Sequence, residues 1–189
     1  MNIPEIISAE QFFLDLSRKK KHPNFIKLKK NAMENNVVPL EIVKDTAKKG
    51  NAYKHTRSGF RSDLGINVRS NWEANFARVL NAYNIKFSFE PVIFSFPITR
   101  GTKSYTPDFY MDNSLDWVEI KGYLDDKSKI KLKRFKRYYE EDFNRLTFII
   151  SKYSSSGKSF AAQIGIPKII YYEDIRSFYI DKIPNWEGK

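Results

Sequence analysis

Residues Tyr105–Tyr123 read YTPDFYMDNSLDWVEIKGY. Two β-rich runs, Ser104–Met111 and Asp116–Lys121, flank the turn-forming Asp112-Asn113-Ser114, which predicts a β-hairpin. Side chains alternate faces along a strand, so Val118 and Ile120 are expected on one face and Glu119 and Lys121 on the other. The first strand carries Asp108, followed by a core-facing Phe109. One face of the hairpin thus gathers two carboxylates and an ammonium. Two neighbouring carboxylates repel each other, and a divalent cation relieves that repulsion. Oxygen ligands of this kind suit Mg²⁺, with Mn²⁺ as its substitute. A lysine two residues from such a carboxylate can orient or deprotonate a water and offset charge on a phosphate, the chemistry of metal-assisted phosphodiester hydrolysis.

Composition points the same way. Lys and Arg number 33 against 22 Asp and Glu in 189 residues, a formal net charge of +11. Such an excess favours a polyanionic partner, nucleic acid above all. An apolar content of 41% with 15% aromatics is that of a packed globule. There are no cysteines, which excludes disulfides and thiolate-zinc sites and permits a reducing compartment. No apolar run reaches the length of a membrane span, and no secretory signal is visible, so a cytoplasmic protein with no membrane partner is expected.

Upstream of the hairpin, Ser70 stands before a helical stripe of Trp72, Phe76, Val79, Leu80 and Tyr83. Glu73 follows Ser70 by three residues, the form of a capping box. Glu73 therefore has two readings, a helix cap or an active-site carboxylate. Short β-rich runs are expected at Lys86–Glu90 and Val92–Ile98, with Pro91 between them and a basic loop at Thr99–Lys103. After the hairpin, KSKIKLKRFKRYYEEDF (Lys127–Phe143) has Leu132, Phe135, Tyr139 and Phe143 at helical spacing. Its other face is almost wholly positive. Lys127, Lys129, Lys133, Arg134, Lys136 and Arg137, with Lys131, are candidates for DNA-backbone contact beside the hairpin. Leu146–Ser151 is expected as a buried strand parallel to that of Lys121, and Lys168–Tyr171 as the last strand. Ser154–Lys158 is expected as a loop, Phe160–Ile164 as a short helix, and Glu173–Phe178 as a helical turn. The SSGK of that loop lacks the earlier glycine of a phosphate-binding loop, so no nucleotide cofactor is expected.

Residues 1–50 are expected to form a small helical segment, with helices after Ser8, from Asn24 and from Pro39 to Gly50. A cap on the main domain is favoured over a groove-binding helix pair. Residues 51–69 have no clear period and read as a basic linker or DNA-crossing arm carrying Arg57, Arg61 and Arg69 among aromatics. His22 and His55 stand apart and suggest no ligand cluster. The main domain is then 70–189, of α/β (α+β) class, a mixed sheet flanked by helices.

Pro107-Asp108 followed on the next strand by Glu119-Ile120-Lys121 resembles the motif of the PD-(D/E)XK nuclease superfamily. Glu73 lies 35 residues before Asp108, Glu119 11 after it, and Lys121 2 further on. These separations, and the segments NIKFSFEP, YTPDFYM and VEIKGY, are similar to those of short phage endonucleases that cut branched DNA, of Holliday-junction-resolvase type. The resemblance covers roughly residues 69–170. It implies a restriction-endonuclease-like core and a Mg²⁺-dependent DNA endonuclease. Asp108, Glu119 and the Ile120 carbonyl would be metal ligands, Glu73 would complete the shell, and Lys121 would be catalytic. It further implies a possible homodimer acting on recombining DNA in a host cytoplasm. The extra N-terminal segment departs from the compact resolvases and suits a site-specific homing, nicking or transposition endonuclease. The rival of another class is a non-catalytic DNA-binding module, and ribonuclease activity is a third possibility.

Overall fold

A computed structural model describes residues 58–188. The expected N-terminal helices and Arg57 lie outside the described residues.

The centre is a five-stranded mixed sheet. Its strands are β3 (Phe87–Phe89), β6 (Phe109–Met111), β7 (Asp116–Lys121), β8 (Leu146–Ile150) and β9 (Lys168–Tyr171), adjacent in that order. β3, β6 and β7 pair antiparallel, whereas β7, β8 and β9 run parallel. The expected hairpin is present, with Met111 opposite Asp116 across a turn in which Leu115 takes φ 59°. The run Ser104–Met111 is not one strand, however. Pro107 has no N–H to give a ladder, and the chain divides into β5 (Ser104–Tyr105) and β6 on either side of it. β5 pairs with β4 (Phe94–Ser95) in a separate ribbon, leaving Asp108 at the break.

Both faces of the sheet are covered. On one, Phe109, Met111, Val118, Ile120, Ile149 and Ile170 pack with α1 (Asn71–Ala82) and α5 (Tyr172–Tyr179). On the other, Trp117, Phe148 and Ile150 pack with α2 (Asp126–Tyr138), the short α3 (Glu140–Phe143) and α4 (Ser155–Ile164). β8 is buried throughout, as its unbroken apolar run requires. Covering on two sides is what a partly parallel sheet needs, since its crossovers lie on the faces. No described helix is long and apolar enough to cross a membrane.

Three further expectations change. Residues 58–69 are not a free arm: β1 (Gly59–Arg61) and β2 (Ile66–Val68) form an antiparallel hairpin, with Val68 buried and Leu64 and Ile66 packed on the core. The expected 127–143 helix breaks at Tyr139 (φ −140°, ψ 58°), whose hydroxyl is drawn to the Ser95 carbonyl. The expected loop at Ser154–Lys158 is instead the start of α4, because the Ser154 hydroxyl caps it by accepting the Gly157 N–H at 3.1 Å.

The tail is held as well. Trp186 is buried against Tyr172. The Glu187 carboxylate pairs with Arg61 at 2.6 Å and Arg78 at 2.9 Å, and Arg78 also pairs with Asp63 at 2.7 Å. The Asn75 side-chain amide donates to the Glu187 carbonyl and accepts the Glu187 N–H, each at 2.9 Å. Charged pairs across the hairpin, the helix and the tail thus form one latch. Arg61, a candidate for phosphate contact, presents its Nε–Nη2 edge to Glu187 and donates from Nη1 to the Gly59 carbonyl at 3.1 Å.

Candidate active site

Asp108, Glu119 and Lys121 come together where the hairpin meets the centre of the sheet. Asp108 reaches across it, accepting the Ile120 N–H on Oδ2 at 2.7 Å. Its own carbonyl takes the Glu90 N–H at 2.9 Å. Glu119 lies mid-β7 on the face opposite Val118 and Ile120, as strand alternation dictates. Its Oε2 accepts the Tyr105 hydroxyl at 2.9 Å and its Oε1 meets Lys121 Nζ at 2.7 Å. Asp108 and Glu119 are only 2% and 3% exposed. Ile120 contributes its main chain here, while its side chain belongs to the core.

Glu73 arrives on α1. Phe76 sets its ring edge-on to Phe109, 5.2 Å between centroids, which docks the helix on the residue after Asp108. Trp72 stacks on Tyr172 at 3.8 Å. The Trp72 ring would lie 3.7 Å from a Cβ built on Gly122, so the chain leaving Lys121 runs beside the start of the helix. The capping geometry read from the sequence is present. Ser70 Oγ accepts the Glu73 N–H at 3.2 Å and donates to Glu73 Oε1 at 2.7 Å, while the Arg69 N–H donates to Oε2 at 2.8 Å. Both carboxylate oxygens are engaged at the cap, at a buried position.

Electrostatics separate the roles of these groups. Burial, then the Glu119 charge beside it, hold the Asp108 carboxyl well above the usual range; Lys121 opposes this and Glu73 adds to it. Burial works downward on Lys121, but Glu119, Asp108 and Glu73 together hold it above the ordinary lysine range. It is therefore an ammonium at neutral pH, suited to stabilising negative charge and not to removing a proton from water. Burial, Glu119 and Asp108 also push the Tyr105 phenol well up, so it remains a hydrogen-bond donor to Glu119.

A hard divalent cation fits the Asp108–Glu119 pair. The donors are all oxygen, both are buried, and the raised proton affinity of Asp108, which burial and then the Glu119 charge produce, is one that positive charge would relieve. The three acids do not form a ready-made cage: among the described residues no group of three His, Cys, Asp or Glu side chains is placed to hold a metal ion together.

The positive face of α2 is divided. Lys127, Lys133, Lys136 and Arg137 are exposed. Lys129 pairs with Asp126 at 3.0 Å, Arg134 donates to the Thr102 carbonyl, and Lys136 donates to the Ile164 carbonyl at 2.9 Å. Arg69 pairs with Glu90 at 2.5 Å but remains largely exposed. Sequence reasoning missed Tyr105, although an aromatic hydroxyl on the strand entering the hairpin, three residues before Asp108, was a readable signal. It also missed Asn75, Arg78, Asp63 and Glu187, whose partners lie far apart in the chain. Comparison of the chain with protein-family models, with curated proteins and with solved structures finds no match.

Proposed function

We propose that the chain is a Mg²⁺-dependent DNA endonuclease of PD-(D/E)XK type, with a restriction-endonuclease-like core, acting on branched or recombining DNA. The observation that carries this reading is the buried Asp108–Glu119 pair with Lys121 Nζ 2.7 Å from Glu119. Two buried carboxylates beside one ammonium are costly to keep ionised together, and a bound cation would offset that cost. The antiparallel hairpin followed by two parallel strands, which holds them, also supports the reading.

Asp108 and Glu119 would hold the cation, with the Ile120 carbonyl as the further ligand that the resemblance implies. A bound divalent cation supplies Lewis-acid activation of water and neutralisation of phosphate charge. The chain's own part is positional. The Ile120 N–H fixes Asp108, and Tyr105 fixes Glu119, which in turn fixes Lys121. Lys121, kept charged, stabilises the extra negative charge that develops on a phosphate under in-line attack. The exposed Lys127, Lys133 and Arg137 of α2, the helix that follows the site strand, neutralise the backbone of the nucleic acid.

The test is cleavage of linear, supercoiled and four-way-junction DNA with Mg²⁺ or EDTA, comparing the wild type with Asp108→Asn. Cutting that needs Mg²⁺, prefers the junction and vanishes in the variant is expected. Wild-type protein that binds DNA but cuts none of the three would overturn the enzymatic reading.

A further inference from the structure

β7 and β8 run parallel with Lys121 opposite Ile150, so the residues following both strands leave the sheet at the end where Lys121 stands. Tyr123 comes two residues after Lys121 and Tyr153 three after Ile150. They are 83% and 77% exposed, the most exposed large hydrophobic side chains among the described residues. The opposite end of β7 is different, with exposed aliphatic Leu115 at the turn.

Neither ring hangs on a slack loop. Tyr123 lies between Gly122, which runs beside Trp72, and the buried Leu124, and Asp125 then caps α2 by accepting the Ser128 N–H at 2.7 Å. Tyr153 lies between two anchors. Before it, the Ser151 hydroxyl and the Lys152 N–H, the latter at 2.8 Å, both bond Glu173. After it, Ser154 caps α4. Lys152 Nζ sits 5.4 Å over the Tyr153 ring and 3.8 Å from Asp174. The fold thus fixes the backbone on both sides of two rings that it leaves in water.

We infer that Tyr123 and Tyr153 are stacking platforms for unpaired bases of a DNA strand entering the site of Lys121. An exposed phenol gains from burial against a flat apolar surface, and every base has such a face. In an intact duplex the base faces are covered by their neighbours, so the rings gain little there; in a branch, flap or single strand they are free. The Lys152 ammonium, 5.4 Å over the Tyr153 ring, matches an adjoining phosphate. This inference takes its partner, DNA, from the nuclease reading, but it concerns binding and not cleavage.

The experiment measures binding in EDTA by fluorescence anisotropy, using a labelled single strand of about 20 nucleotides and its duplex, a length that exceeds one ordinary single-strand site. Wild type is compared with Tyr123→Ala/Tyr153→Ala and with Tyr123→Phe/Tyr153→Phe. The alanine pair should weaken single-strand binding about 10-fold or more and duplex binding less than about 2-fold, and the phenylalanine pair should keep both. A 2-aminopurine base in the strand should lose fluorescence on binding wild type and regain it with the alanine pair. No single-strand binding by wild type, equal loss on both DNAs, or no loss on the single strand overturns the inference. Selective loss in a protein that cuts no DNA would sink the enzymatic reading and leave the platforms. Cutting without selective loss would do the reverse.

Discussion

Helix α1 takes part in two ionic clusters of opposite character. Towards the tail, Asn75 and Arg78 join Arg61, Asp63 and Glu187, two guanidinium groups against two carboxylates. Each charge there has a partner. Burial alone would raise Asp63 and Glu187, but Arg78 and, for Glu187, Arg61 hold both carboxyls below their usual range. At its start, Glu73 adds to a cluster in which Asp108 and Glu119 face one ammonium, and Asp108 is pushed the other way. The balanced cluster holds the molecule together. In the unbalanced one, burial and the neighbouring negative charges disfavour the ionised form of Asp108.

Removing one carboxylate is the strongest way to break the contrast. Asp108→Asn keeps an acceptor for the Ile120 N–H but removes the charge. Under the proposed activity it should slow DNA cleavage at least about a thousandfold, on the order of 4 kcal/mol. The same change should stabilise the protein in EDTA, read as a higher urea midpoint. Loss of both activity and stability would show that Asp108 is a structural acid after all.

Arg78→Ala should do the opposite in the latch. It strips two carboxylates of a buried partner, and since these are part-exposed the cost should be about 2–3 kcal/mol by urea denaturation. A change below about 0.5 kcal/mol would reduce the latch to a surface ion cluster.

Acidification separates the clusters by sign. Asp63 and Glu187 have folded values below their unfolded ones, so their contribution is complete above about pH 4 and is lost as pH falls through the lowered values. Asp108 has a folded value raised above its unfolded one. Its contribution is complete below about pH 4 and is lost as pH rises through the raised value. In EDTA the wild type should therefore gain stability from this group on mild acidification, and the gain should disappear in Asp108→Asn. Urea midpoints between about pH 3 and about pH 7 measure both limbs. A variant profile parallel to that of wild type would refute the assignment.

The smallest effect is expected outside both clusters. Lys133→Ala, on the exposed face of α2, should change stability by less than about 0.5 kcal/mol. It should lower DNA affinity and reduce the slope of log affinity against log salt by about 1. An unchanged slope would remove Lys133 from the interface.

The arrangement of Asp108, Glu119 and Lys121 was far more legible than its surroundings, for a physical reason. Asp108, Glu119 and Lys121 are set by hairpin register and strand alternation, both readable over a dozen residues. The strands Leu146–Ile150 and Lys168–Tyr171 were readable because a buried run of apolar residues is its own signal. The Ser70–Glu73 cap was readable because it is local. The β1–β2 hairpin was not, since it is held by Glu187 and the core and has little period of its own. Nor was the break at Tyr139, where a long-range bond to Ser95 overrides a helical pattern that continues through it. At Ser154 the serines and glycine suggested a loop, while the same serine as a cap begins a helix.

The latch has a kinetic consequence. Arg61 and Glu187 are separated by 126 positions, and Asn75 and Glu187 by 112. Contacts that close spans of this length come late, because they wait on the ordering of what lies between. Every strand that carries the carboxylates is made before Glu187 is. During synthesis the Asp108–Glu119–Lys121 cluster can be assembled while α1 still lacks its tail anchor, and docking of the tail adds the last contacts to the helix bearing Glu73.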